Sequence, residues 1–243
     1  MNPARSCPRQ RQRGLGLVEL LLACALAIGL GAATLALAAQ QIEAQQRLQR
    51  EIRLEQELRA AADLIVRDLR RAGHRGDAAE AAARASLGRD SPTNPYAGLA
   101  LGSDGASRAV GHAYSRDLVE DGMVAGNERF GVQWQPADGT LEWRLSGSAL
   151  TPGPRDAWQS LVDPARVQVT DLTIRIDEER QALLDWCPHA GACSSQNGCP
   201  PERISRQVWL RLQAQDRQDA RLQRTIEVRA RLRNDEVRGA CPT

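Results

Sequence analysis

The residues that could do chemistry fall into two groups. The first is a single carboxylate in an apolar run. From Leu15 to Ala39 the chain is almost wholly apolar, and Glu19 is its one charged side chain. A carboxylate in hydrocarbon costs several kcal/mol unless it is paired or neutralised, so Glu19 needs a positive partner. The second group is sulfur. Cys187, Cys193, Cys199 and Cys241 lie far downstream, and His189 shares the loop DWCPHAGACSSQNGCPP with three of them. Such a set can close disulfides, or a Cys₃His group can hold zinc. His74 and His112 stand alone, with His74 reading as a loop residue. There is no nucleophile elbow, phosphate loop or zinc-protease helix. The acid pair Glu178–Glu179 reads as a solvated turn. No catalytic residue, cofactor or metal is expected, and the chain is not expected to be an enzyme.

The element that must position Glu19 is a helix. About twenty apolar residues at 1.5 Å rise cross a bilayer core of ~30 Å. A secretory signal has a shorter apolar region, about 7–15 residues, and a small-residue cleavage site. Here the run is too long and no such site stands out. A plain signal anchor fits the length but gives Glu19 no reason. The leader before the run carries Arg5, Arg9, Arg11 and Arg13 and no acid. Positive residues stay cytoplasmic, so the C-terminal bulk is expected in the periplasm.

A third reading covers every part. Gly14 closes the basic leader, Leu15 starts the apolar run, and Glu19 is the fifth residue from Leu15. This pattern resembles the class III signal of type IV prepilins. Leu15 in place of the usual Phe or Met, and Gly16 in place of Thr or Ser, depart from it. The resemblance implies cleavage between Gly14 and Leu15 by prepilin peptidase, with N-methylation of the new α-amine on Leu15. A methylated amine keeps its charge. In an assembled filament, Glu19 of one subunit would meet the amine of its neighbour, which makes Glu19 an assembly contact. The expected segments are a removed leader at 1–14, a transmembrane and filament-core helix at 15–39, its amphipathic continuation at 40–73, and a head at 74–243.

The continuation shows a helical period. Ile42, Leu48, Ile52, Leu58, Ile65 and Leu69 recur at three- and four-residue steps or their sums, and polar residues fill the other faces. No proline interrupts from Leu15 to Ala72, and Gly73 supplies a stop. The stretch VRDLRRAGHRGD, through Arg67, Asp68, Leu69, Arg70, Ala72, Gly73 and Gly76, resembles the signature that ends the long helix of PilW-type minor pilins. The J-type minor pseudopilins of type II secretion share a related pattern.

Beyond the helix, residues 77–127 read as surface loop with short elements, including a short helix in DAAEAAARASLGRD. Strand chemistry begins at Glu128. ERFGVQWQ and GTLEWRLSG form a hairpin with Phe130, Val132, Trp134, Leu141, Trp143 and Leu145 on one face. Pro152 to Pro164 reads as a connector. ARVQVTDLTIRID alternates with a phase slip near Thr170–Asp171, which predicts a bulge. SRQVWLRLQAQ and LQRTIEVRARLRND close the chain, and Arg224, Thr225, Val228, Leu232, Arg233 and Asn234 resemble the last strand of the PilW-type family. The fold class is α+β, pilin-like, with the long N-terminal helix packed on an antiparallel β-sheet head.

A periplasmic head explains the cysteines, since that compartment oxidises thiols. Four cysteines allow three pairings, and sequence does not choose among them. The favoured arrangement has one pair inside the Cys187–Cys199 loop and one joining that loop to Cys241. Disulfides are favoured over a Cys₃His metal site.

The sequence has 32 basic residues, all arginine, against 30 acids, a formal net charge of +2. Losing the leader removes four positive charges and leaves −2. That balance argues against bulk nucleic-acid binding. The resemblance implies a minor pilin that primes assembly of a type IV pilus near its tip. It would be anchored once in inner-membrane lipid before export to the pilus, with prepilin peptidase, other minor pilins and the major pilin as partners. A type II secretion minor pseudopilin is the alternative. A third reading is a DNA- or surface-binding module built on Arg224, Arg229, Arg231 and Arg233, with DNA disfavoured because Glu227 and Asp235 interleave.

Overall fold

The computed structural model describes residues 16–81, 93–102, 108–187, 191, 193, 199–239 and 241. Residues up to Arg50 and residues from Glu51 onward form two compact units. One helix, α1 (Leu17–Leu69), contributes to both.

In the first unit every helical side chain from Leu17 to Gln49 is exposed. Ten large apolar residues between Leu17 and Leu37 are therefore exposed among the described residues. The helix is long and apolar enough to cross a membrane, with a mean hydropathy of 2.4 over its most apolar 18 residues.

In the second unit α1 changes role. Leu54, Leu58, Ala61, Ala62, Ile65, Asp68 and Leu69 are buried at three- and four-residue steps, the stripe of a helix laid on a core. Regular helix stops at Leu69, and tighter i→i−3 bonds carry the chain through Ala72. Gly73, at φ +75°, then turns it away. Its N–H donates to the Ala113 carbonyl.

Two antiparallel sheets follow rather than one. The first is a meander of β1 (Leu99–Leu101), β2 (Ala109–Ala113), β3 (Arg129–Gln135), β4 (Thr140–Ser146) and β5 (Ala157–Ser160), paired in that order. The second holds β6 (Val167–Ala182), β7 (Glu202–Asp216) and β8 (Gln223–Arg231), with β9 (Glu236–Arg238) sharing the edge of β7 that pairs with β8. Val110, Val132 and Leu141 from the first sheet and Leu172, Ile174, Val208, Leu210 and Leu212 from the second close one core with the helix stripe. Each fully buried aliphatic side chain contributes about 1.5–3 kcal/mol.

The hairpin has the expected faces, with Val132 opposite Trp143 and Trp134 opposite Leu141. The β6–β7 register shifts between Val169 and Asp171, at the predicted slip. Among the described residues of 77–127 the short elements include β1 and β2; β2 is almost wholly buried, and Tyr96 is inaccessible. Two expectations are corrected. The 152–164 connector contains β5, whose four residues show too little alternation to be read. Glu178–Glu179 do not form a turn but lie within β6, paired with Arg206 and Ser205. Finally, β9 was not expected at all. For the predicted short helix, the backbone is helical at 78–81, and the remainder lies outside the described residues.

Candidate functional site

Gly14 and Leu15 lie outside the described residues, as does His189. Glu19 stands in the first turn of α1, where a carboxylate suits the positive end of the helix dipole. Its Oε2 accepts from the Gly16 N–H at 3.1 Å. No cation meets it among the described residues, and its side chain is open to whatever surrounds the helix.

At the other end of the helix lies a buried polar cluster. Asp68 sits three residues beyond Ile65, inside the apolar stripe. Its Oδ1 accepts from the Tyr114 hydroxyl at 3.1 Å, and its Oδ2 from the Trp143 indole N–H at 3.1 Å. His112 Nε2 also lies 3.1 Å from Oδ2. That approach is off the N–H axis, and neither ring nitrogen of His112 has an aligned hydrogen-bond partner among the described residues. Burial opposes ionisation of Asp68, but the contacts with His112, Trp143 and Tyr114 outweigh it and hold the carboxyl below its ordinary value. Burial, reinforced by the Asp68 charge, pushes the Tyr114 phenol up to about 12.

The residues after Asp68 each have a task. The Ala72 carbonyl accepts from the Asn234 amide at 2.9 Å, and the Gly73 carbonyl from the Asn94 amide at 2.8 Å. A Cβ on Gly73 would come within 3.2 Å of Asn234. The VRDLRRAG stretch is thus the point where helix, first sheet and C-terminal segment are tied together.

Two further arginines form internal ion pairs. Arg206 of β7 binds Glu178 at 2.7 Å, also contacts Glu236, and donates to the Ala97 carbonyl at 2.7 Å. The hydrogen bond from Arg206 is the largest influence on Glu178 and lowers its carboxyl. Arg144 of β4 is fully buried and pairs with Asp156 at 2.7 Å. Its guanidinium donates to the Leu150 and Ala149 carbonyls. Arg144 lies on the hairpin face opposite the apolar one, and residues 147–156 cover that face. Gly111 and Gly147 leave the room: a Cβ on Gly111 would meet the Leu150 carbonyl oxygen at 2.0 Å. Those glycines were the readable signal of a covered face.

The four downstream cysteines pair as Cys187–Cys241 and Cys193–Cys199. A sulfur in a disulfide has no thiolate to give a metal, so this arrangement differs from the Cys₃His alternative. Asp117, Glu120 and Asp121 also cluster. Glu120 is already engaged by the Gly76 and Gly122 N–H groups and the Tyr96 hydroxyl.

The four arginines grouped as a possible DNA contact do not share one face. Arg224 faces the opposite side of β8 from Arg229 and Arg231, and forms an ion pair with Glu51 of the helix. Arg229, Arg231 and Arg233 are exposed.

The family model described as "Prepilin peptidase-dependent protein B" matches residues 47–232. No curated protein and no solved structure matches the chain.

Proposed function

The chain belongs to the prepilin peptidase-dependent protein B family, and from that premise we propose that it is a minor pilin, PilW-like, that helps prime assembly of a type IV pilus near its tip. The observation that carries the proposal is the join of two features. The family match covers the head and the lower helix. Directly before it runs an exposed apolar helix with Glu19 in its first turn.

In this reading prepilin peptidase cuts between Gly14 and Leu15, and the amine of Leu15 is N-methylated. Leu15 to Ala39 anchors the chain in the inner membrane with the head in the periplasm. The same helix then passes into the filament core, where Glu19 meets the amine of a neighbouring subunit. The buried-charge penalty favours this pairing over leaving either group alone in lipid. The other minor pilins and the major pilin are the partners, and pairing of the four downstream cysteines fits an oxidising compartment.

Intact-mass and N-terminal analysis of the protein isolated from membranes tests this. The expected mature chain begins at N-methyl-Leu15. A chain that keeps Met1, or one cut after Ala39, rejects the proposal. Presence of the chain in sheared pili separates a pilus subunit from a type II secretion pseudopilin.

A further inference from the structure

The second sheet has one face on the core and one face open. Along β7 the buried Val208, Leu210 and Leu212 alternate with the outward Gln207, Trp209, Arg211 and Gln213. An indole on the outward side of a polar sheet contributes nothing to the core. Its neighbours are specific. In direct register, Trp209 has Arg175 of β6 on one side and Arg229 of β8 on the other. The Arg175 guanidinium lies over the indole, 5.4 Å from the ring centroid, a cation–π contact. In the adjacent row Gln207 has Arg231 beside it.

The arginines of this face divide into two kinds. Arg175 is held by Asp177 at 3.1 Å, and Arg211 faces Glu227 at 3.8 Å. Arg229 and Arg231 have no ion pair or hydrogen bond among the described residues, and neither do the amides of Gln207 and Gln213. The row therefore presents one flat ring, two uncommitted guanidinium forks and two uncommitted amides on a single surface. Guanidinium forks match carboxylates at two points. Amides both donate to and accept from hydroxyls. A pyranose ring has an apolar C–H face that lies flat on an indole.

Charge and aromatic count select among polyanions. Asp171, Asp177, Glu179 and Glu227 share this face and offset the arginines. Single-stranded nucleic acid is bound by a basic groove with several aromatics for successive bases. Here a single aromatic stands in a face of mixed charge, which suits a ligand made mostly of hydroxyls with intermittent carboxylates. We propose that the outer face of the second sheet binds an acidic polysaccharide, with a sugar ring on Trp209 and its carboxylates on Arg229 and Arg231. The inference does not depend on which machine the chain serves.

Calorimetric titration of the full chain in detergent micelles tests it with three probes. They are hyaluronate, in which carboxylated and neutral sugars alternate, neutral dextran, and single-stranded oligothymidylate. Hyaluronate is expected to bind, more weakly as salt rises, and dextran is not. Arg229→Gln with Arg231→Gln, and separately Trp209→Ala, are each expected to weaken binding by about tenfold or more. The two arginines are exposed, so the double variant decides the matter even where Trp209→Ala disturbs the sheet. The proposal is overturned by absence of hyaluronate binding, by unchanged binding in the arginine variant, or by equal binding of dextran. Tighter binding of oligothymidylate than of hyaluronate overturns it in favour of nucleic acid.

Discussion

The indole N–H of Trp143 donates to the carboxylate of Asp68 at 3.1 Å, tying β4 to the last buried turn of α1. Tyr114, the residue after β2, completes the arrangement. Removing the carboxylate strands one buried and one half-buried donor, and a buried donor left unmade costs about 1–3 kcal/mol. Asp68→Ala is therefore expected to destabilise the head by roughly 2–5 kcal/mol, with Asp68→Asn milder. Thermal unfolding followed by near-ultraviolet circular dichroism, which reads the packing of the aromatic side chains, checks this. An unchanged midpoint for Asp68→Ala rejects the tie.

The same group sets an acid limit. Asp68, Glu178 and Glu236 all have lowered carboxyl values. A lowered value contributes stability that is fully present above the ordinary carboxylate range, roughly pH 4. It is lost as pH falls through the lowered values. Tyr114 has the opposite sign: its contribution is complete below about pH 10 and is lost as pH climbs towards about 12. A stability profile flat from pH 5 to 9 that falls at both ends is expected. In Asp68→Asn the acid-side fall should be shallower.

The two disulfides should differ in weight. Cys187–Cys241 spans 54 residues and Cys193–Cys199 spans 6. Closing the longer loop removes more freedom from the unfolded chain, and is worth about 4 kcal/mol in the loop-entropy account. Cys241→Ser with Cys187→Ser is expected to lower the unfolding midpoint more than the Cys193/Cys199 double variant. Equal losses would refute that ranking.

The covered face of the first sheet leaves no space beside β2. Gly111→Ala places a methyl against the Leu150 backbone oxygen, and that carbonyl is itself held by Arg144. A loss of about 1–3 kcal/mol or more is expected. Arg144→Ala, which strands Asp156, should lose about 3–5 kcal/mol. Urea titrations of both variants are the check.

Under the proposed assembly role, Glu19→Ala inserts and is processed normally but enters pili poorly. A drop of about tenfold in the sheared-pilus fraction corresponds to ~1.4 kcal/mol of lost contact. Normal incorporation would show that the carboxylate makes no assembly contact.

What could be read in the sequence was what repeats. The helical period through Leu58, Ile65 and Leu69 and the alternation in β3, β4, β7 and β8 show the element and the face together, whereas Ile42, Leu48 and Ile52, read on the same stripe, are exposed. Asp68 was visible as a residue but not as a hub. Its partners come from β2 and β4, and contacts between distant elements leave no local pattern. One hint was there: an acid at the i+3 position of an apolar stripe. The burial of Arg144 could not be read, because alternation fixes the face but not what covers it. β5 and β9 are three or four residues long, too short for a period to show. The split into two sheets depends on pairing partners, which single strands do not reveal.

The described side chains that α1 buries lie between Leu54 and Leu69, and those from Leu17 to Gln49 are exposed. The residues that fill the second unit's core are therefore different residues from those that meet the surroundings in the first. Under the proposed role, lipid and then neighbouring protein can surround Leu17 to Leu37 in turn, and the side chains that change solvent are not the ones that build the core.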